Sequence, residues 1–133
     1  MSRISEIINK YKNIDFKYGT FDCCIFTAKV IEEYHNIKLP KWRKVLNYKN
    51  WEQSKNSLKA LGCKRLEDLP DVMLMSNKQD AILAKNGDPV LYINERGASI
   101  LGVCNGVRAY FLRDTGGLTA RKLEECKYSW SVN

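Results

Sequence analysis

The sequence predicts an α+β fold, with helices packed on a C-terminal antiparallel sheet. Two patterns and one length carry this expectation. Up to about residue 86, apolar residues recur at helical spacing. Beyond Gly87 they alternate between turn signals, as half-buried strands do. The chain of 133 residues suits one domain with a modest core. We therefore divide a single domain, 1–133, into an N-terminal helix (1–15), a helical part (16–86) and a sheet part (87–133).

Ile4, Ile7, Ile8 and Tyr11 share one face of a helix over residues 3–12, with Ser2 as N-cap. Ten residues are marginal in isolation, so this helix should pack on the core. A second helix is expected from about Asp22 to Tyr34, capped by Thr20 or Asp22. It is apolar around most of its circumference, which marks it as the central helix, with Lys29, Glu32 and Glu33 outward. Pro40 ends that region, because the residue before proline avoids the α conformation. A third helix should span Asn50 to Leu61, with Asn50 as N-cap, Trp51, Leu58 and Leu61 inward, and Gly62 just past its end. Leu66, Leu69 and Val72 suggest a helical turn, and residues 79–85 a brief helix. The candidate strands are Pro89–Ile93, Ser99–Cys104, Val107–Leu112, Leu118–Lys122 and Tyr128–Val132. Asn105-Gly106 signals a type I′ hairpin between two of them.

Composition excludes several classes. No apolar run reaches the roughly 20 residues a membrane span needs. The N-terminus lacks a signal-peptide h-region, so a soluble protein made in the cytosol is expected. The cysteines Cys23, Cys24, Cys63, Cys104 and Cys126 are odd in number and have no C-x-x-C spacing, so reduced thiols are expected. With His35 the sole histidine, no metal site or cofactor is expected. The net charge of +7 allows acidic or phosphate-rich partners. The densest basic stretch, Lys38 to Lys44 around Trp42, reads more simply as a solvated loop than as a nucleic-acid site. Trp42 could anchor a partner, whereas Trp51 and Trp130 suit a core or an interface.

The stretch with chemical potential is Phe16 to Phe26. An aromatic-glycine turn, Tyr18-Gly19, precedes Asp22-Cys23 at the start of the apolar helix. A helix N-terminus presents free N–H groups and partial positive charge, and both favour a thiolate. The plainer reading makes Cys23 and Cys24 small buried residues opening a core helix.

In order along the chain, Tyr18-Gly19, Asp22-Cys23-Cys24-Ile25-Phe26, Gly87-Asp88-Pro89-Val90-Leu91, Leu101-Gly102-Val103 and Trp130-Ser131-Val132 form a set of landmarks. This set resembles NlpC-type papain-like cell-wall peptidases. More closely, it resembles a small phage and prophage group within that fold, over residues 16–132. The resemblance implies a papain-like single domain with Cys23 at the nucleophile position. Active relatives carry a histidine at the start of the strand that here reads Ile100-Leu101-Gly102-Val103, and the matching residue is Ile100. His35 is no substitute, because twelve helical residues put it roughly 18 Å from Cys23. A base must come within about 3 Å of its nucleophile, or one water away. Asp22, Tyr18 and Asp88 remain as candidate site residues, with Tyr92 a further proton carrier by chemistry alone.

Three functions are then expected, in descending order. The first is a structural or adaptor protein of the phage virion, at the tail tip, on a degenerate peptidase fold. Its partners would be other tail or virion proteins, and it would reside in the host cytoplasm during assembly. The second is an active cysteine hydrolase of peptidoglycan peptides or another amide, with an unconventional base. The third is a basic nucleic-acid-binding module.

Overall fold

The computed structural model describes residues 2–17, 21–40, 42, 49–74 and 76–132, with the side chain of Trp51 excepted. Helix α1 (Arg3–Asn9) starts where Ser2 accepts a hydrogen bond from the Ser5 N–H, the expected cap. It is shorter than the 3–12 pattern, and Tyr11 packs from the turn that follows. Helix α2 (Cys23–His35) is capped by Asp22, whose carboxylate accepts from the Ile25 N–H at 3.0 Å. Thr20, the other candidate cap, lies outside the described residues. Asn36 closes α2 in the left-handed region, and the Ile37 N–H reaches back to the Glu32 carbonyl.

Eight of the thirteen α2 residues are buried, including Phe26, Val30 and Ile31, as a central helix requires. Glu32 corrects the expected outer face. Its side chain turns inward and accepts the Leu39 N–H at 2.8 Å, which holds the chain leaving the helix. A buried carboxylate with a charge-assisted bond is stable where a solvated one was expected.

Helix α3 (Trp51–Ala60) has Asn50 as its cap, bonded by the Gln53 N–H at 2.9 Å, and Gly62 follows at φ +82°. Helix α4 (Asp68–Leu74) replaces the expected turn. Leu69 is buried, while Val72 is exposed, because the inward face of α4 runs through Leu69, Pro70, Met73 and Leu74. The brief helix expected at 79–85 shrinks to three residues. The segment gives strand β1 (Gln79–Asp80) and a 3₁₀ turn (Ala81–Leu83), since pairing with the C-terminal strand extends the chain here.

Strands β2 (Pro89–Ile93), β3 (Ser99–Cys104), β4 (Arg108–Leu112), β5 (Leu118–Lys122) and β6 (Tyr128–Ser129) follow. Together they form a six-stranded antiparallel sheet in the order β1-β6-β2-β3-β4-β5. The hairpin between β3 and β4 differs from the I′ expectation. Gly106 has φ +98°, whereas Asn36 is the one described non-glycine residue with positive φ. A I′ turn needs positive φ at two adjacent residues. Here the Asn105 side chain instead accepts the Val107 and Arg108 N–H groups, and glycine takes the first central position, the II′ signature.

One face of the sheet carries Leu91, Leu101, Val103 and Leu112 against α1 and α2, in a single core that also takes in Trp42, Leu69 and Trp130. The helical and sheet parts therefore share one core. The opposite face carries Val90, Cys104, Ala109 and Phe111 under Ala81 and Leu123, with Tyr92 and Ile100 beside them. Trp42 is wholly buried, so it is no surface anchor, and the nucleic-acid reading loses its aromatic.

Candidate functional site

Cys23 opens α2, half-buried, where the helix meets β3. The sheet's hydrogen bonding explains what the thiol meets there. Pro89 and Leu91 turn their carbonyls to Trp130 and Lys127, on the β6 side. Strand groups alternate sides, so Leu101, directly opposite Leu91, turns its N–H away from β2 and toward β4. Strand β4 pairs with β3 only at Val103 and Cys104, and so it does not take that N–H. Gly102 is the reason the strands part in this way. A Cβ at Gly102 would overlap the Tyr110 carbonyl oxygen and sit 2.5 Å from the Phe111 ring, so β4 crosses over a residue with no side chain. The freed Leu101 N–H donates to the Cys23 sulfur instead.

Two more donors converge there. The Cys24 thiol and the Cys24 N–H both point to Cys23. Together they hold the Cys23 thiol below its ordinary pKa, the Cys24 thiol contributing most, against burial and the nearby Asp22 charge. Cys24 moves the opposite way. Its donated hydrogen bond, burial and the Cys23 charge push it well up. Among the first N–H groups of α2, Ile25 bonds the Asp22 carboxylate and Phe26 the Asp22 carbonyl. The Cys23 N–H has no partner among the described residues, and at a helix start it is an open donor.

Of the predicted site residues, Asp22 and Cys23 come together. Asp22 is a buried cap that raises, rather than lowers, the thiol's pKa. Tyr18 lies outside the described residues, as does Gly19. Asp88 is brought to the other end of α2. Gly87 packs against Tyr34 and His35 there, and the His35 Nε2 lies 3.1 Å from the Gly87 carbonyl oxygen. The Asp88 carboxylate accepts the N–H groups of Lys85, at 2.9 Å, and of Val132, which is a structural clasp. Burial lifts its pKa above the usual value. Tyr92 lies on the sheet face away from α2, under the Arg121 guanidinium.

Ile100 shares that far face, whereas Leu101 faces the helix. The strand's two-residue period puts Ser99, not Ile100, on the helix side at the start of β3. Sequence reasoning missed Leu101 and Cys24 as functional groups. A backbone donor leaves no signature, and Cys24 reads as core, which by burial it is. The remaining thiols are unpromising, since Cys104 is buried and burial lifts Cys126 to about 11. Among the described residues no cluster of histidine, cysteine and carboxylate could hold a metal.

A family model described as a domain of unknown function, DUF6950, matches residues 1–132. The chain belongs to the DUF6950 family. The search of curated proteins found no match. Within this DUF6950 chain no helix among the described residues is long and apolar enough to cross a membrane. A groove of about 440 Å³ lies between α1 and α2, lined by Arg3, Glu6, Ile7, Lys10 and Glu33. Its two cations are engaged. Lys10 pairs with Glu33, and Arg3 donates to the Glu33 and Tyr34 carbonyls, where a cation suits a helix C-terminus.

Proposed function

We propose that this chain is a structural or adaptor protein of a phage particle, at the tail tip, built on an NlpC-like peptidase fold that has lost its catalytic histidine. The observation that supports this reading most is the separation of the sole histidine from the cysteine. His35 ends α2 where Cys23 begins it. Amide cleavage needs a proton donor for the leaving amine. Among the described residues the titratable neighbours acting on Cys23 are Cys24, held protonated, and Asp22, held as a cap. Neither is a base of ordinary kind. Two measurements test the reading. Purified protein should leave peptidoglycan and model D-amino-acid peptides intact, and mass spectrometry of particles from the encoding phage should find the chain at stoichiometric level. Cys23-dependent cleavage, or absence from particles, would contradict it.

A second reading, an active cysteine hydrolase with an unconventional base, is favoured by one observation. Donors from α2 and β3 converge on the Cys23 sulfur. This reading predicts slow amide cleavage that disappears in Cys23→Ala and Cys23→Ser. Activity in both variants equal to that of the native chain would end it.

A further inference from the structure

The six-stranded sheet ends in two unlike edges. Strand β1 is two residues long, whereas β5 runs from Leu118 to Lys122 with β4 on one side only. The hydrogen-bond pattern decides which β5 groups face outward. The Arg113 N–H bonds the Gly117 carbonyl at the head of the β4–β5 hairpin, so Thr119 and Arg121 bond inward to Phe111 and Ala109. Leu118, Ala120 and Lys122 therefore turn their N–H and C=O groups away from the sheet. At Lys122 the chain closes both. The Glu125 carboxylate accepts the N–H at 3.1 Å, and the Cys126 thiol donates to the carbonyl at 3.5 Å. At Leu118 and Ala120 these groups have no partner among the described residues, and Ala120 is exposed.

Charge selects what can dock on this edge. Arg108 and Lys122 lie directly opposite each other, a pair of like charges at the closer, non-hydrogen-bonded spacing. Both are exposed, and neither has an ion-pair partner among the described residues. Arg121, on the other face, sits 4.8 Å from the Tyr92 ring with its buried Nε unpaired. Lysine on an edge strand guards against self-pairing, because a second copy brings the same cations to the seam. An acidic strand meets attraction instead. We infer that the β5 edge receives an extended acidic segment of a partner protein, added to the sheet as a further strand. The segment's backbone pairs with the free groups of Leu118 and Ala120. Its side chains alternate, and those on the Arg108 side lie beside Ala120 and Lys122, where the small Ala120 leaves room. A carboxylate there meets the Lys122 ammonium and relieves its repulsion with Arg108. The inference deepens the adaptor reading by naming the partner's chemistry, and it rests on that reading only for the partner being a protein.

The test titrates the full chain, at low salt, with a short peptide alternating glutamate and valine and with its lysine counterpart. Anisotropy of the labelled peptide reads binding, and amide hydrogen exchange followed by NMR locates it. The expected result is binding of the glutamate peptide alone, with exchange slowed at Leu118 and Ala120. Lys122→Glu should weaken that binding about tenfold. Ala120→Pro should abolish it and leave the fold intact, since proline is tolerated on an edge where the N–H it removes faces solvent. The exchange map is made on the unaltered chain, so the inference stays testable even if Ala120→Pro misfolds. No binding, equal binding of the lysine peptide, or protection away from β5 overturns it. So does a dimer that Ala120→Pro dissociates, which assigns the edge to a second copy. Tighter binding of a single-stranded oligonucleotide, insensitive to Ala120→Pro, overturns it as well and assigns the charge to nucleic acid. Failure here leaves the adaptor reading untouched, since that one is decided in particles.

Discussion

The two ends of α2 are built from similar parts and put to opposite use. At its C-terminal end polar groups from four segments engage one another. Arg3 takes two carbonyls, Ile37 a third, His35 contacts the Gly87 carbonyl, and Asp88 holds Lys85 and Val132. At the N-terminal end Asp22 satisfies two N–H groups, but the donors around Cys23 converge on the thiol of a residue that is only partly buried. The lesson is that one carboxylate and one histidine at the C-terminal end of a helix make a clasp, while a neighbouring thiol and a strand N–H at the other end hold a thiol below its ordinary pKa.

The strongest way to break this contrast is through Gly102. Gly102→Ala puts a methyl group where β4 crosses, and overpacking of that kind costs about 3 kcal/mol at the upper end of its range. Thermal or denaturant unfolding would measure the loss. Stability equal to that of the native chain would show that β4 does not lie where the Leu101 donor requires.

Asp22 separates capping from charge. Asp22→Ala should lose about 1 kcal/mol of stability with the cap. Asp22→Asn keeps an acceptor for the Ile25 N–H and removes a negative charge that raises the Cys23 pKa. The Cys23 alkylation midpoint should therefore move to lower pH in Asp22→Asn, with little change in stability. A midpoint moving upward would mean that Asp22 supports the thiolate in some other way.

Asp88 gives a smaller effect with a definite sign. Its folded pKa is raised, so the native state binds more protons than the unfolded chain as pH rises from about 3.8. That contribution to stability is present below the unfolded value and is lost as pH rises through the folded one. Asp88→Asn should flatten this part of the pH–stability curve, measured by urea unfolding at a series of pH values. Smallest of all, His35→Gln should cost under about 1 kcal/mol, the worth of one hydrogen bond, and leave Cys23 alkylation unchanged. A slowed Cys23 would tie the two ends together and contradict their separation.

Much of the fold was legible because it is local. Ser2, Asp22 and Asn50 cap helices where side-chain chemistry and apolar spacing pointed, and the strands after Gly87 follow their alternation. Some landmarks were legible for a reason other than catalysis. Gly102 admits β4, and the Trp130 indole donates to Asp71 at 2.7 Å, which fixes the C-terminal strand to α4. What could not be read depends on partners distant in sequence. Strand β1 exists because β6 pairs with it, and Glu32 turns inward because Leu39 returns to it. The inward or outward sense of Ile100 follows from strand parity relative to a helix whose position the sequence does not give. Of the site, Asp22 and Cys23 were visible as a cap beside a thiol. The Leu101 donor was not, since a backbone N–H becomes available only where two strands part.

The most direct test of the account is alkylation of each cysteine by iodoacetamide across pH 5 to 10, mapped by mass spectrometry. The account predicts that Cys23 reacts first, with a midpoint below that of an ordinary thiol, while Cys24, Cys104 and Cys126 lag at every pH. Slow Cys23 alkylation that rises only with the buried thiols would contradict it, and would make the start of α2 as closed as its end.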